Sequence, residues 1–179
     1  MIVRFPTPTA GKIALVTAPR GVIQSLMVMI ATLALRGEVI VVDGGNCLDG
    51  YALARALRER TSQVQEGLKQ ILLSRAFTCY QMVALLGALP AGDTPVIVLD
   101  ILATFLDENV AFAKRQRLLE NSIRLLQQIS ASAPVAIWAR THNPAHQEEQ
   151  RLLRPLLESA HTIWELQSPV TPTYQPPLF

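Results

Sequence analysis

A three-layer α/β fold, with helices on both faces of a mostly parallel sheet, is what this chain predicts. Three observations carry that expectation. Short runs that are apolar at nearly every position alternate with longer segments of helical periodicity. Strands that alternate apolar and polar residues, the mark of a sheet wet on one face, are scarce. The third observation is size: 179 residues form one domain with a core that needs no disulfide or metal to hold it.

Each element has its own signal. The run from Ile13 to Thr17 predicts a first buried strand, and the apolar stretch from Val22 to Leu35 predicts a helix that Gly37 stops. Val39 to Asp43 reads as the second strand, followed by a turn at Gly44-Gly45-Asn46 and a helix from about Tyr51 to Arg60. The next region divides at Thr78, with a strand from Ile71 to Ala76 and a helix from about Cys79 to Leu89 that Pro90-Ala91-Gly92-Asp93 closes. Pro95 to Asp100 is a further buried strand ending in a carboxylate. Val110 to Ser130 is a long amphipathic helix carrying Lys114, Arg115, Arg117, Glu120 and Arg124. Val135 to Ala139 makes another strand. Pro144 opens a helix from Ala145 to Ala160 that Pro155 is expected to kink or split, and Thr162 to Leu166 is the last strand. This places one core domain over residues 1–167, with residues 1–11 as an N-terminal arm. The proline-rich residues 168–179 form an extended tail.

Composition narrows the function classes. Half the residues are hydrophobic and 17% are charged, against about 25% in ordinary soluble domains, which suggests apolar surface reserved for a partner. A net charge of +2 is too small to imply nucleic-acid binding. Cys47 and Cys79 are far apart, with no CxxC pair, and His142, His146 and His161 lack a ligand spacing, so neither zinc nor a disulfide is expected. The N-terminus has no secretory signal pattern, and the most apolar window falls short of the roughly 20 residues that span a bilayer. A cytoplasmic protein without a membrane partner is the expectation.

The segment Ala18-Pro19-Arg20-Gly21-Val22-Ile23-Gln24-Ser25 stands between the first strand and the first helix, where a phosphate-binding loop belongs. Against G-x-x-x-x-G-K-[ST] it keeps the length, Gly21 and the final hydroxyl of Ser25. Ala18 and Ile23 replace the flanking glycines, and Gln24 replaces the lysine. Such a loop wraps backbone N–H groups around phosphates and adds a cation to the β and γ oxygens. Ile23 puts a branched side chain where backbone must approach phosphate, and Gln24 is neutral.

The chain resembles the RecA/RadA recombinase ATPases, above all the archaeal and eukaryotic branch with its recombinase paralogs. The residues that carry the likeness run in order. They are Gly11 to Val16 before the loop, the loop, Val41-Val42-Asp43, the Walker B-like strand Val96 to Asp100, and Ser74-Arg75-Ala76-Phe77-Thr78 with Gln81, which is similar to the family's ARAF-(T/N)-x-x-Q segment. The resemblance covers roughly residues 11 to 141 and implies the core ATPase domain alone.

The departures fall on catalytic positions. Where the family's glutamate activates water, this chain has Gly45 within Asp43-Gly44-Gly45-Asn46, and where the family carries a sensor glutamine it has Arg140. Ser25 and Asp100 survive of the Mg²⁺ pair, although their ordinary roles as an early-helix hydroxyl and a strand-end carboxylate bound to nearby backbone explain them better. No ATP, Mg²⁺ or other cofactor is therefore expected. The resemblance implies a pseudo-ATPase that acts through protein contacts, with a recombinase, a repair factor or its own copies as partner. DNA contact through Arg20, Arg140 or His142 receives weak support, because the segment Ile101 to Asn109 is short, apolar and acidic. An atypical ATPase, a SulA-like regulator of cell division and a DNA-binding accessory protein stay open as alternatives.

Overall fold

The computed structural model describes Phe5, residues 8–141 and residues 147–166. The fold is α/β. Its strands are β1 Ile13–Ala18, β2 Val39–Asp43, β3 Ile71–Arg75, β4 Val96–Leu99, β5 Val135–Arg140 and β6 Thr162–Glu165. Its helices are α1 Ile23–Ala34, α2 Gly50–Arg58, α3 Val64–Lys69, α4 Cys79–Gly87, α5 Phe112–Ser130 and α6 Gln147–Ser159. The strands form one sheet in the order β3-β2-β4-β5-β1-β6, every pair parallel. The expected sheet was mostly parallel; the observed one is wholly so.

Two apolar clusters lie on opposite faces of that sheet. Val16, Ala18, Val41, Leu99 and Trp138 pack with α1, α2 and α3, while Ile13, Leu15, Val42, Val98 and Ile137 pack with α4, α5 and α6. Successive residues of a strand point to opposite faces, so continuous apolar runs feed both clusters. The result is helix, sheet, helix, consistent with a RecA-like three-layer arrangement. The steps β1→β2→β3 run one way along the sheet through α1 to α3, and β3→β4→β5→β6 run back through α4 to α6. Parallel crossovers share one hand, so the reversal puts the two helix sets on opposite faces. Beyond the carboxyl ends of β2 and β4 the connections part in opposite directions, which is where open sheets of this kind place a crevice.

Local chemistry explains the helix starts. Asp49 caps α2, its Oδ1 accepting from Tyr51 N at 2.9 Å and Ala52 N at 3.1 Å. Thr78 caps α4 by accepting from Gln81 N at 3.2 Å, and Gln81 Oε1 reaches back to accept from Phe77 N at 2.8 Å. This is a capping box displaced by one residue. Thr78 and Gln81, part of the segment that carries the resemblance, hold the start of α4.

Several boundaries depart from the sequence reading. Helix α3 was absent from it; α3 approaches α2 so closely that a Cβ on Gly67 stands 2.8 Å from Leu57 Cδ2, and a helix this short shows little periodicity. The segment read as a loop after β4 begins with a 3-10 turn over Ile101–Phe105, buried at Ile101, Leu102 and Phe105. Helix α5 begins at Phe112, two residues later than expected. Arg115, read as one charge on its solvated face, is instead 3% exposed. Its Nε donates to Val110 O at 2.8 Å, its Nη1 to Phe105 O at 3.1 Å and its Nη2 to Glu148 at 2.9 Å. Pro155 lies inside α6, which runs unbroken from Gln147 to Ser159. His142, Pro144, His146, most of the expected N-terminal arm and the expected tail over residues 168–179 lie outside the described residues.

Candidate functional site

The residues singled out by the sequence gather at the carboxyl ends of β1, β2, β4 and β5. Ala18 is the last residue of β1, and its carbonyl accepts from Trp138 Nε1 at 3.1 Å and from Thr141 N at 3.2 Å. Pro19 then turns the chain, and Arg20–Val22 form a 3-10 turn in which Val22 N donates to Pro19 O at 3.2 Å. Helix α1 begins at once with Ile23, so Gln24 and Ser25 are its second and third residues.

A phosphate cradle needs several successive N–H groups converging on one point, which takes residues in left-handed conformations. None of residues 18–25 has a positive φ, and Gly21 uses no glycine-only geometry. The loop is spanned by the 3-10 turn. Arg20 and Gln24 are exposed and Ser25 is buried. Gly21 and Gln24 line an open cavity of about 370 Å³ with Val28, Ala52, Arg55 and Glu59. That cavity lies along α1 and α2, not over the strand ends.

An ion pair stands at the carboxyl end of each of β2 and β4. Asp100 has no exposed surface and follows β4 in the left-handed conformation, at φ 48° and ψ 56°. Arg140 Nε lies 3.1 Å from Asp100 Oδ2, an ion pair without the alignment of a hydrogen bond, and Arg140 N lies 3.4 Å from Oδ1. Asp43 is equally buried; its Oδ1 accepts from Cys47 N at 3.0 Å and its Oδ2 from Leu48 N at 2.9 Å, while Arg75 Nε approaches at 3.7 Å. Each strand-end carboxylate faces an arginine from the neighbouring strand, Arg140 of β5 for Asp100 and Arg75 of β3 for Asp43. The sequence reading offered Arg140, with Arg20, as a weakly supported DNA contact; its guanidinium lies against Asp100.

The turn after β2 packs directly onto this pair. A Cβ built on Gly45 meets Asp100 Oδ2 at 2.5 Å and Cys47 Sγ at 2.6 Å, and one on Gly44 meets Met82 Cε at 2.8 Å and Asp100 O at 2.9 Å. No side chain fits at either glycine without displacing the carboxylate or the backbone behind it. Cys47 shares the crowding: burial, followed by the negative charges of Asp43 and Asp100, pushes its thiol up to about 12. It is therefore protonated, a small apolar filler and no nucleophile.

The sequence pointed to Asp100, Gly45 and Arg140 without showing that they touch. Arg75 was named only within the family-like segment and Cys47 only for its distance from Cys79, and neither was given a place in the site, although an arginine at the end of β3 beside a strand ending in Asp43 was a readable signal. Among the described residues no group of three His, Cys, Asp or Glu side chains is placed to hold a metal ion, and no helix is long and apolar enough to cross a membrane. No protein-family model matches this chain, and no curated protein matches it.

Proposed function

We propose that this chain is a catalytically silent RecA/RadA-like core that works as a protein-binding or regulatory subunit in DNA recombination or repair. The observation that carries the reading is the Asp100–Arg140 ion pair at 3.1 Å. In the ATPases that the sequence resembles, the carboxylate at this place serves Mg²⁺ and the neighbouring strand end senses the γ-phosphate. Here an internal guanidinium takes the countercharge position, so a cation must displace an arginine from a buried carboxylate before it can bind.

Two further features support the same reading. The glutamate that activates water has no counterpart, because the space beside Gly45 is taken up by Asp100 and Cys47. The lysine that grips phosphate is replaced by Gln24, on a loop whose residues 20–22 form a 3-10 turn. What remains is an apolar scaffold with exposed Tyr51, Phe77 and Tyr80, a surface better suited to proteins than to nucleotide.

The experiment is isothermal titration calorimetry of the full chain with Mg-ATP, run beside affinity capture against a recombinase. A flat titration with saturable recombinase binding is the expected result. ATP binding with turnover that is lost in Asp100→Asn overturns the silent-core reading; a flat titration without any recombination partner overturns the assignment to recombination.

A further inference from the structure

Among the described residues, both margins of the sheet end in strands paired on one side. β3 pairs only with β2 and β6 only with β1 among the described residues. Natural edge strands are commonly protected by charge, proline or a bulge. The outer margin of β3 carries Leu72 and Leu73, 45% and 39% exposed, and that of β6 carries Ile163, 47% exposed. Phe77 and Tyr80 adjoin β3, exposed by 66% and 50%. At roughly 200 Å² for a whole aromatic side chain, those two alone offer on the order of 200 Å². That is about a quarter of the ~800 Å² that a standard interface takes from each partner, before the leucines and the strand backbone are counted.

We propose that the β6 edge of one copy pairs in parallel with the β3 edge of the next, so that the chain assembles head to tail through a continuous sheet. Backbone parity allows it. Val39 N bonds Gln70 O and Ala76 N bonds Asp43 O, so even-numbered residues of β3 face β2 and Ile71, Leu73 and Arg75 face outward. Leu166 N bonds Thr17 O, so Ile163 and Glu165 face outward from β6. Placing Ile163 opposite Leu72 of the next copy satisfies both sets.

The faces agree as well. Leu72 pairs with Ile40 and Ile163 with Leu15, both on the α4–α6 side, while Leu73 pairs with Val41 and Trp164 with Val16, both on the α1–α3 side. Ile163 therefore meets Leu72, and Trp164 meets Leu73, on matching sides. Charge separates this arrangement from a symmetric β3–β3 pair. β3 lies between Lys69 and Arg75, and antiparallel self-pairing brings those like charges together. The parallel pairing instead brings the Glu165 end of β6 beside the Arg75 end of β3. Because the contact is heterologous, a dimer still carries one unused β3 edge and one unused β6 edge, and growth continues from both unless the rotation between copies closes a ring.

Sedimentation velocity on the full chain tests this, with Leu73→Lys disabling one edge and Ile163→Lys the other. The wild type is expected to gain mass continuously with concentration, and each variant alone to run as a monomer. An equimolar mixture of the two regains one intact contact and is expected to form a 1:1 dimer. A wild type that stays monomeric at its highest soluble concentration overturns the proposal. So does Ile163→Lys assembling like the wild type, which is the signature of a β3–β3 pair, or a mixture that stays monomeric. Far-UV circular dichroism checks the fold, and Leu72→Lys and Glu165→Lys replace any variant that fails it. The inference does not depend on the carboxyl-end site, so its failure is separate from any result with Mg-ATP.

Discussion

Asp100 shows how a strand-end carboxylate is defined by a partner distant in sequence. As a strand-end carboxylate it was legible in the sequence; that Arg140 answers it was not, because the two are 40 residues apart and meet only when β4 and β5 pair. Replacing Arg140 with Ala removes the guanidinium 3.1 Å from a buried carboxylate and is expected to cost about 3 kcal/mol, read as a lower urea midpoint at unchanged slope. Gly45→Ala is expected to cost about 2 kcal/mol by overpacking against Asp100 and Cys47, measured the same way. Cys47 gives a pH signature. Its folded pKa of about 12 lies above that of an unfolded thiol near 9, so the folded state holds the proton longer. Stability is therefore unaffected below pH 9 and falls between pH 9 and 12, by about 1.4 kcal/mol per unit. Cys47→Ala is expected to abolish that part of the alkaline slope in urea titrations, and a thiol reagent at pH 8 to label Cys47 only after unfolding.

Among the elements, strands and long helices were readable because their signals are local: apolar runs for β1, β2, β4 and β5, and a 3.6-residue stripe for α5. Helix α3 and the 3-10 turn over Ile101–Phe105 were not, since both are short and owe their form to what they pack against. Arg115 is the clearest case. Its place in a basic stretch suggested a solvated face, yet it holds Phe105 O, Val110 O and Glu148 together, tying the 3-10 turn to α5 and α6. Arg115→Ala is expected to destabilise the fold by about 3 kcal/mol, because two carbonyls lose their donor and Glu148 its partner. Lys114→Ala, one residue away and beside Tyr80 at 6.0 Å, is expected to change stability by less than about 1 kcal/mol. Thermal unfolding of the two variants side by side separates a structural cation from a surface one.

The whole molecule joins a sheet buried on both faces to margins that are not. Exposed apolar residues lie at β3, β6 and the start of α4, which are the margins that the proposed assembly uses. Fold class and strand identity were written into the linear chain, because burial on two faces forces continuous apolar runs, and the departures of residues 18–25 from the phosphate-loop pattern are visible without coordinates. Which carboxylate meets which arginine, whether a side chain fits at Gly45, and which backbone groups of β3 and β6 face outward depend on strand order and register. Those are set by contacts between segments far apart in sequence, and no local pattern encodes them.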